Sequence, residues 1–530
     1  MMNKDSLTNL GDILDGAVKN LDVFDRNRAI PVRENTLHVH NVNNMLLIAY
    51  EQLRNASENI ESHLLFQRAI RRFYKRSLSF MFNRPPKNLA QELIIELTQA
   101  EYLENDTISM VKVEHLDSII SDLYRAYWSI VDRKSVPNDR AQQWILELLS
   151  VQSEQVLNNP IRILSFANFA YMHFIDKINI SDYVPEGEFI DPADYPKILY
   201  MGVHNALLKS DDGNIRNALL GFYSISTSEL TRFIEFNKNY DRLAGSKTIA
   251  KVSRMVNRNG APLRIIRSAF FSENHSLSSV NISNKSKTLA MIDAQVEEDY
   301  RQVKRGLRNG VIKSVVFLLI TKALIGVIVE IPYDFYLYGT IIILPLVVNL
   351  VFPPAFIALT AFTFKLPSNT NTKAIGDYID SMLYKSDNVP VVIHADKVKG
   401  SSYVFNTVYA IVFVGAFLLV ADILRTLDFN VIQGIIFFIF LSTASFLGYR
   451  LTLRIKELEI ITTSQGLIAL VRDSLYAPFI FVGRGISYRF SRMNIVAQML
   501  DIAIELPLKT IFRLIRQWTV FLSNKRDELL

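Results

Sequence analysis

The pattern of apolar and polar positions changes at about residue 310 of this 530-residue chain. Before that point, apolar residues recur at spacings of three and four, the period of an amphipathic helix, and strand-like alternation is scarce. After it come four apolar runs long enough to cross ~30 Å of hydrocarbon at ~1.5 Å of helix rise per residue. The pattern predicts an all-α fold: a large N-terminal helical soluble region, a four-helix transmembrane region and C-terminal amphipathic helices.

This change divides the chain into six predicted segments. They are an N-terminal arm (1–36), a helical soluble domain (37–270), a flexible linker (271–288), a lead-in helix (289–310), a transmembrane region (311–450) and C-terminal cytoplasmic or interfacial helices (451–530). The four spans are predicted at 311–331, 336–360, 403–424 and 431–449. Because Pro353 and Pro354 interrupt the second span, residues 353–364 either continue it or lie along the membrane interface.

Basic residues flank the predicted spans unevenly. Twelve lie before the first span, between the second and third, and after the fourth: Arg301, Lys304, Arg305, Arg308, Lys365, Lys373, Lys385, Lys397, Lys399, Arg450, Arg454 and Lys456. The two opposite loops contain only Arg425. The positive-inside rule then predicts that both termini are cytoplasmic, and we expect the membrane to be a bacterial plasma membrane.

Composition removes several kinds of chemistry. The chain has no cysteine, which excludes disulfides, thiolate nucleophiles, iron–sulfur clusters and cysteine-based zinc sites. The eight histidines are scattered, and the acidic stretch 182–194 is more typical of a solvated loop than of a calcium site. Common phosphate-binding, zinc-protease and hydrolase motifs are missing from the sequence. We therefore predict no metal site, no cofactor and no catalytic residue, which argues against an enzyme.

Polar residues within the predicted spans are candidates for function. They are Lys322, Glu330, Asn349, Asn406 and Asp422. Lys322 is expected near mid-membrane, where a charge costs at least ~2.5 to 3.5 kcal/mol and needs a partner within the bundle. Asn349 is expected at a matching depth, so the sequence predicts a contact between Lys322 and Asn349. No acidic residue is expected at that depth, which favours a structural role over a proton relay.

Three groups of basic residues could contact lipid or a partner. The first is interleaved with aromatic residues, the second recurs on one helix face, and the third lies on the amphipathic tail. Their members are Arg68, Arg71, Arg72, Lys75 and Arg76; Lys247, Lys251, Arg254 and Arg258; and Lys509, Arg513 and Arg516. The net charge of +6 suits anionic lipid. The alternative is a solvated or internally paired helix face, and nucleic acid is the least favoured ligand.

Two functions fit this organisation. A non-enzymatic scaffold or anchoring protein would hold the helical domain at the lipid bilayer for an unidentified protein partner, and it needs no catalytic residues. A transporter or channel component for a small solute or ion needs polar groups along an internal path, which four spans supply poorly unless the protein forms a homo-oligomer. The sequence favours the scaffold.

Overall fold

The structure, a computed structural model, describes residues 7–28, 35–39, 62–78, 80, 85–272, 282–361, 366–384, 403–460, 476–487 and 489. Most of these residues are helical, and the β-structure among them consists of two isolated bridges. The predicted all-α fold is confirmed in this respect. The described residues form two compact units: a helical unit within Gly16–Val256, and a membrane unit drawn from Met1–Asp15, Asn257–His275 and Ser279–Met493.

The helical unit is built from short amphipathic helices. They are α1 (Asn9–Arg28, which begins in the membrane unit), α2 (Ser62–Ser77), α3 (Leu89–Gln99), α4 (Met110–Asp132), α5 (Asn138–Leu157), α6 (Ile161–Ile175), α7 (Tyr195–Val203), α8 (Asp212–Phe222), α9 (Leu230–Ala244) and α10 (Lys247–Arg258). Helix α5 packs against α2, α4 and α8, and its buried residues include Trp144, Leu148 and Val151. It is therefore the central helix of this unit's core.

The membrane unit contains longer helices. They are α11 (Ala261–Phe270), α12 (Lys285–Ile325), α13 (Ile331–Tyr338), α14 (Ile343–Ala361), α15 (Asn369–Leu383), α16 (Tyr403–Thr426) and α17 (Val431–Lys456). A π-helical segment, Gly326–Glu330, joins α12 to α13, so one helix runs without a break over the 54 residues Lys285–Tyr338. Gly339 ends it in the left-handed conformation, at φ +66°, which glycine adopts without strain.

Three described helices are long and apolar enough to cross a membrane: Lys285–Tyr338, Ile343–Ala361 and Val431–Lys456. The sequence predicted four spans, and three of these four are found among the described residues. The predicted third span forms α16, which is not among them. The helix that contains the predicted first span continues to Tyr338. In the second, the helix passes through both prolines to Ala361.

The spans bury polar residues and expose apolar ones, the reverse of a water-soluble fold. Outward-facing side chains that are large and apolar include Phe317, Ile320, Leu324, Val327, Ile328, Val347, Val351, Ile435 and Ile439. Helix α14 runs antiparallel to α12, because Leu318 lies beside Ile357 while Gly326 lies beside Leu346. An apolar exterior of this size is typical of a surface covered by lipid.

A polar layer continues the bundle at the end away from Gly339. It consists of α11, α15 and the first part of α12, which pack against one another. Asn371 of α15 donates hydrogen bonds to the Tyr300 hydroxyl (2.9 Å) and to the Leu458 carbonyl (2.8 Å). Arg264 of α11 donates to the carbonyl of Glu457 at 2.9 Å. The predicted lead-in helix is thus one helix with the first span, and the Tyr300 hydroxyl joins it to Asn371 of α15.

Candidate intramembrane site

The π-helical segment turns two acidic residues onto the face of Lys322. In a regular α-helix, eight residues at 3.6 per turn would put Glu330 about 80° around the helix from Lys322. The wider turn of Gly326–Glu330 removes much of that angle, and Asp334 then follows Glu330 by four residues on the same face. A π-helical turn holds one residue more than an α-helical turn, and such turns are often found at functional sites.

Lys322 and Glu330 form an ion pair that is closed off from solvent. The Lys322 ammonium donates to Glu330 Oε1, and the two residues are 1% and 0% exposed. The ammonium also lies 5.1 Å from the centre of the Phe440 ring on α17, a distance suited to a cation–π contact. The pair thereby neutralises the lysine within the bundle.

Asn349 links this ion pair to the other two spans. Its Nδ2 donates to Glu330 Oε1 at 3.1 Å and to the backbone carbonyl of Gln433 at 3.2 Å. Asn349 is fully buried. One amide group therefore connects α14 to the end of the π-helical segment and to the first turn of α17.

Asp334 is held by the N-terminus of α17. Gln433 Nε2 donates to both of its carboxylate oxygens, at 3.0 and 2.8 Å, and Asn430 Nδ2 donates to Oδ1 at 2.8 Å. The same two residues form a capping box, in which each side chain also accepts the other's backbone N–H. An anion at a helix N-terminus is stabilised by the helix dipole. In the part of the chain that the structure describes, Asp334 is held by amide groups and a helix end rather than by a cation.

Two oxygen atoms of this cluster lack a hydrogen-bond donor among the described residues. They are Glu330 Oε2 and Asn349 Oδ1, and both residues are 0% exposed. A buried acceptor without a donor costs about 1 to 3 kcal/mol. Glu330 Oε1 therefore accepts from both Lys322 and Asn349, whereas Glu330 Oε2 accepts from none of the described donors.

An apolar cluster closes the bundle next to this site, on the side of the polar layer. Leu318, Ile357 and Ala444 are fully buried there, and Phe440 is 7% exposed. Val315 and Val311 pack against the cluster about one and two turns before Leu318 on α12. The hydrogen-bonded polar groups of the site thus extend from Asn430 inward as far as Lys322, where they meet this apolar cluster.

The predicted contact between Lys322 and Asn349 is replaced by a shared one. Both side chains donate to Glu330 Oε1. The expectation that no acidic residue lies at this depth was wrong, because the helix continues past Glu330 and draws it into the bundle. Asp422 is exposed on α16, and the side chain of Asn406 lies outside the described residues.

The basic candidates have different surroundings. In the first group, Arg71 pairs with Asp211 at 2.8 Å and Arg76 pairs with Glu96 at 2.6 Å. In the second, Lys247, Lys251, Arg254 and Arg258 are all exposed on α10. The third group, Lys509, Arg513 and Arg516, lies outside the described residues together with the predicted tail helices. The four basic residues of α10 are therefore accessible to an anionic ligand.

Sequence reasoning missed the second half of the site. Gln433 and Asn430 had a visible signal, since Asn-x-x-Gln before an apolar run is a capping-box pattern. Asp334 had none, because it follows Pro332 and resembled a residue of an exposed turn. Comparisons of the chain with protein-family models, with curated proteins and with solved structures give no match.

A second buried charge cluster, also unforeseen, lies in the helical unit. Arg216 is 1% exposed and donates to Glu147, Asn237 and Asp241 at 3.2, 2.8 and 2.9 Å. Burial acts to raise the pKa of Asp241, but hydrogen bonds from Arg140 and Arg216 outweigh it and hold that pKa below its usual value. The cluster joins α5, α8 and α9.

Proposed function

We propose that this chain is a polytopic membrane protein that anchors its helical unit at the cytoplasmic face of the bilayer, as a non-enzymatic scaffold. The observation that carries the proposal is the unbroken helix Lys285–Tyr338, which is polar in its first part and lipid-suited in its last. A helix of this kind transfers the position of the span directly to the polar layer packed on it. An unidentified protein partner would bind on the cytoplasmic side.

Helix directions support α16 as a fourth crossing. Asn349 meets Gln433, and Ile357 meets Phe440, so α14 and α17 run parallel. Two parallel spans need a return crossing between them. Helix α16 lies at that place in the chain and packs Ala416 and other apolar residues against α17. Four crossings with both termini cytoplasmic also agree with the distribution of basic residues.

Cysteine labelling tests topology and anchoring together, since the native chain has no cysteine. We expect Asp428→Cys, in the exposed turn before α17, to react with an impermeant maleimide on intact cells. Ser135→Cys in the helical unit and Ser286→Cys on α12, both exposed, should react only after the membrane is permeabilised. Labelling of Ser286→Cys in intact cells would show that the spans have the opposite orientation. Labelling of Ser135→Cys in intact cells, without labelling of Ser286→Cys, would show that the helical unit is not cytoplasmic.

The second candidate is a transporter or channel component, and the buried polar cluster favours it. Ionisable residues inside a membrane commonly mark solute paths. The apolar cluster around Leu318 argues against it, because it closes the seam between α12, α14 and α17. Solute-dependent flux in liposomes containing the purified chain would favour transport, whereas tight liposomes would favour the anchor. Transport would also call for a homo-oligomer, which crosslinking of the same liposomes would detect.

A further inference from the structure

We propose that Glu330 and Asn349 form a binding site for one monovalent cation inside the bundle, filled either by sodium or by a proton. The inference requires that the bundle is embedded in lipid, but it does not depend on the scaffold function. It starts from Glu330 Oε2 and Asn349 Oδ1, which find no hydrogen-bond donor in the described part of the chain and belong to residues that are 0% exposed.

These two oxygens lie in the same small region of the bundle. The side chains that carry them are already joined, since Asn349 Nδ2 donates to Glu330 Oε1 at 3.1 Å. The backbone carbonyl of Gln433, 3.2 Å from Asn349 Nδ2, adds a third oxygen nearby. Carboxylate, amide and backbone oxygens are the ligands that hard cations prefer, and intramembrane sodium and proton sites use the same groups.

The net charge of the cluster favours a ligand that carries one positive charge. The charged groups around Glu330 are Lys322 on α12 and Asp334 on α13, while α14 and α17 contribute the amide of Asn349, the carbonyl of Gln433 and the Phe440 ring. Two carboxylates and one ammonium leave one negative charge in excess among these groups. A monovalent cation balances this charge, whereas a divalent cation would reverse it. Either form of imbalance is costly in a low-dielectric interior.

The arrangement suits binding rather than conduction. From the end that carries Asn430, a cation would first meet Asp334 and then Glu330. Beyond Lys322, the apolar side chains of Leu318, Ile357 and Ala444 provide no polar ligand. A cation would therefore enter and leave by the same end and would hold α12, α14 and α17 together while bound.

Thermal unfolding of the full-length protein in lipid nanodiscs tests the proposal. The midpoint is measured in sodium chloride and in choline chloride of equal ionic strength, at several pH values. If sodium fills the site, the midpoint should rise with sodium, and the effect should weaken at low pH because protons compete. If a proton fills it, sodium should have no effect, and infrared spectra should show a protonated carboxyl band that titrates with pH.

Variants connect either result to the site. Glu330→Gln removes the charge at nearly constant shape and should abolish the sodium effect or the carboxyl band. Glu297→Gln, the same change at an exposed position of α12, should behave as wild type. If Glu330→Gln does not fold, Asn349→Leu keeps the ion pair and should weaken sodium binding about tenfold or shift the carboxyl titration. A wild-type protein with neither response, or a Glu330→Gln variant that keeps the response, overturns the proposal.

Discussion

Glu154 and His204 are two residues of the helical unit whose ionisation is controlled by burial. Burial, with a further contribution from Asp211, raises the pKa of Glu154 to about 8 against the opposing charge of Arg71. Burial lowers the pKa of His204 to about 3. Between pH ~4.5 and ~8, Glu154 is therefore protonated in the folded chain and ionised in the unfolded chain. Between pH ~3 and ~6.5, His204 is neutral in the folded chain and protonated in the unfolded chain.

The unfolding free energy should therefore fall in two pH ranges. The Glu154 contribution is lost as pH rises from about 4.5 to about 8, and the His204 contribution is lost as pH falls from about 6.5 to about 3. We predict that Glu154→Gln flattens the first decline, which amounts to about 1.4 kcal/mol for each unit of pKa shift. Thermal unfolding midpoints across this pH range measure it. Glu114→Gln, at an exposed position, should retain the wild-type slope, and an equally steep slope in Glu154→Gln would contradict the assignment.

At the scale of elements, apolar runs were enough to locate the helices but not their ends or their faces. Lys322 and Asn349 were recognised as neighbours because both lie deep in long apolar runs. Glu330 was assigned to the end of a span because a regular helix was assumed, and the wide turn of Gly326–Glu330 has no signature in the sequence. Arg216 of α8 has its partners on α5 and α9, so their meeting depends on tertiary packing that no local pattern encodes.

Two helix caps allow the hydrogen bond to Asp334 to be measured separately. Asn284 caps α12 by accepting from the backbone of Lys287, whereas Asn430 caps α17 and also donates to Asp334. We predict that Asn284→Ala costs about 1 kcal/mol of unfolding free energy, the usual value of a cap. Asn430→Ala should cost about 1.5 to 3 kcal/mol more, because a buried carboxylate loses a donor. Equal losses in chemical unfolding of the two variants would show that the contact contributes nothing.

At the scale of the whole molecule, two opposite rules of burial coexist in one chain. The helical unit hides residues such as Trp144 and Phe166 and, apart from clusters such as that of Arg216, leaves its charges outside. The spans hide Lys322, Glu330 and Asp334 and leave phenylalanine and isoleucine outside. Averaged together, they give 49% hydrophobic and 21% charged residues, an ordinary composition. Position along the chain, rather than composition, therefore distinguishes the two units.

The exposed basic face of α10 predicts a response to lipid charge. Lys247, Lys251 and Arg254 are exposed on one helix. In the proposed cytoplasmic location, they would be close to a leaflet with a negative surface potential. We predict slower amide exchange in α10 when the full chain is held in anionic nanodiscs than in zwitterionic ones. The difference should shrink as salt is added and should vanish when the three residues are replaced by glutamine. Identical exchange in both lipids would leave α10 as an ordinary solvated face.

The unbroken helix Lys285–Tyr338 also behaves as a lever. At ~1.5 Å per residue it is ~80 Å long, and ~39 Å of it precedes Val311. Bilayers differ in hydrocarbon thickness, and a span that is longer than the hydrocarbon layer accommodates the difference by tilting. A tilt of ~10° would swing the far end of the arm by ~7 Å, and α11 and α15 would move with it because they pack on it. Changes in bilayer thickness would thereby become sideways displacements of the polar layer, since no hinge separates Lys285 from Ile325.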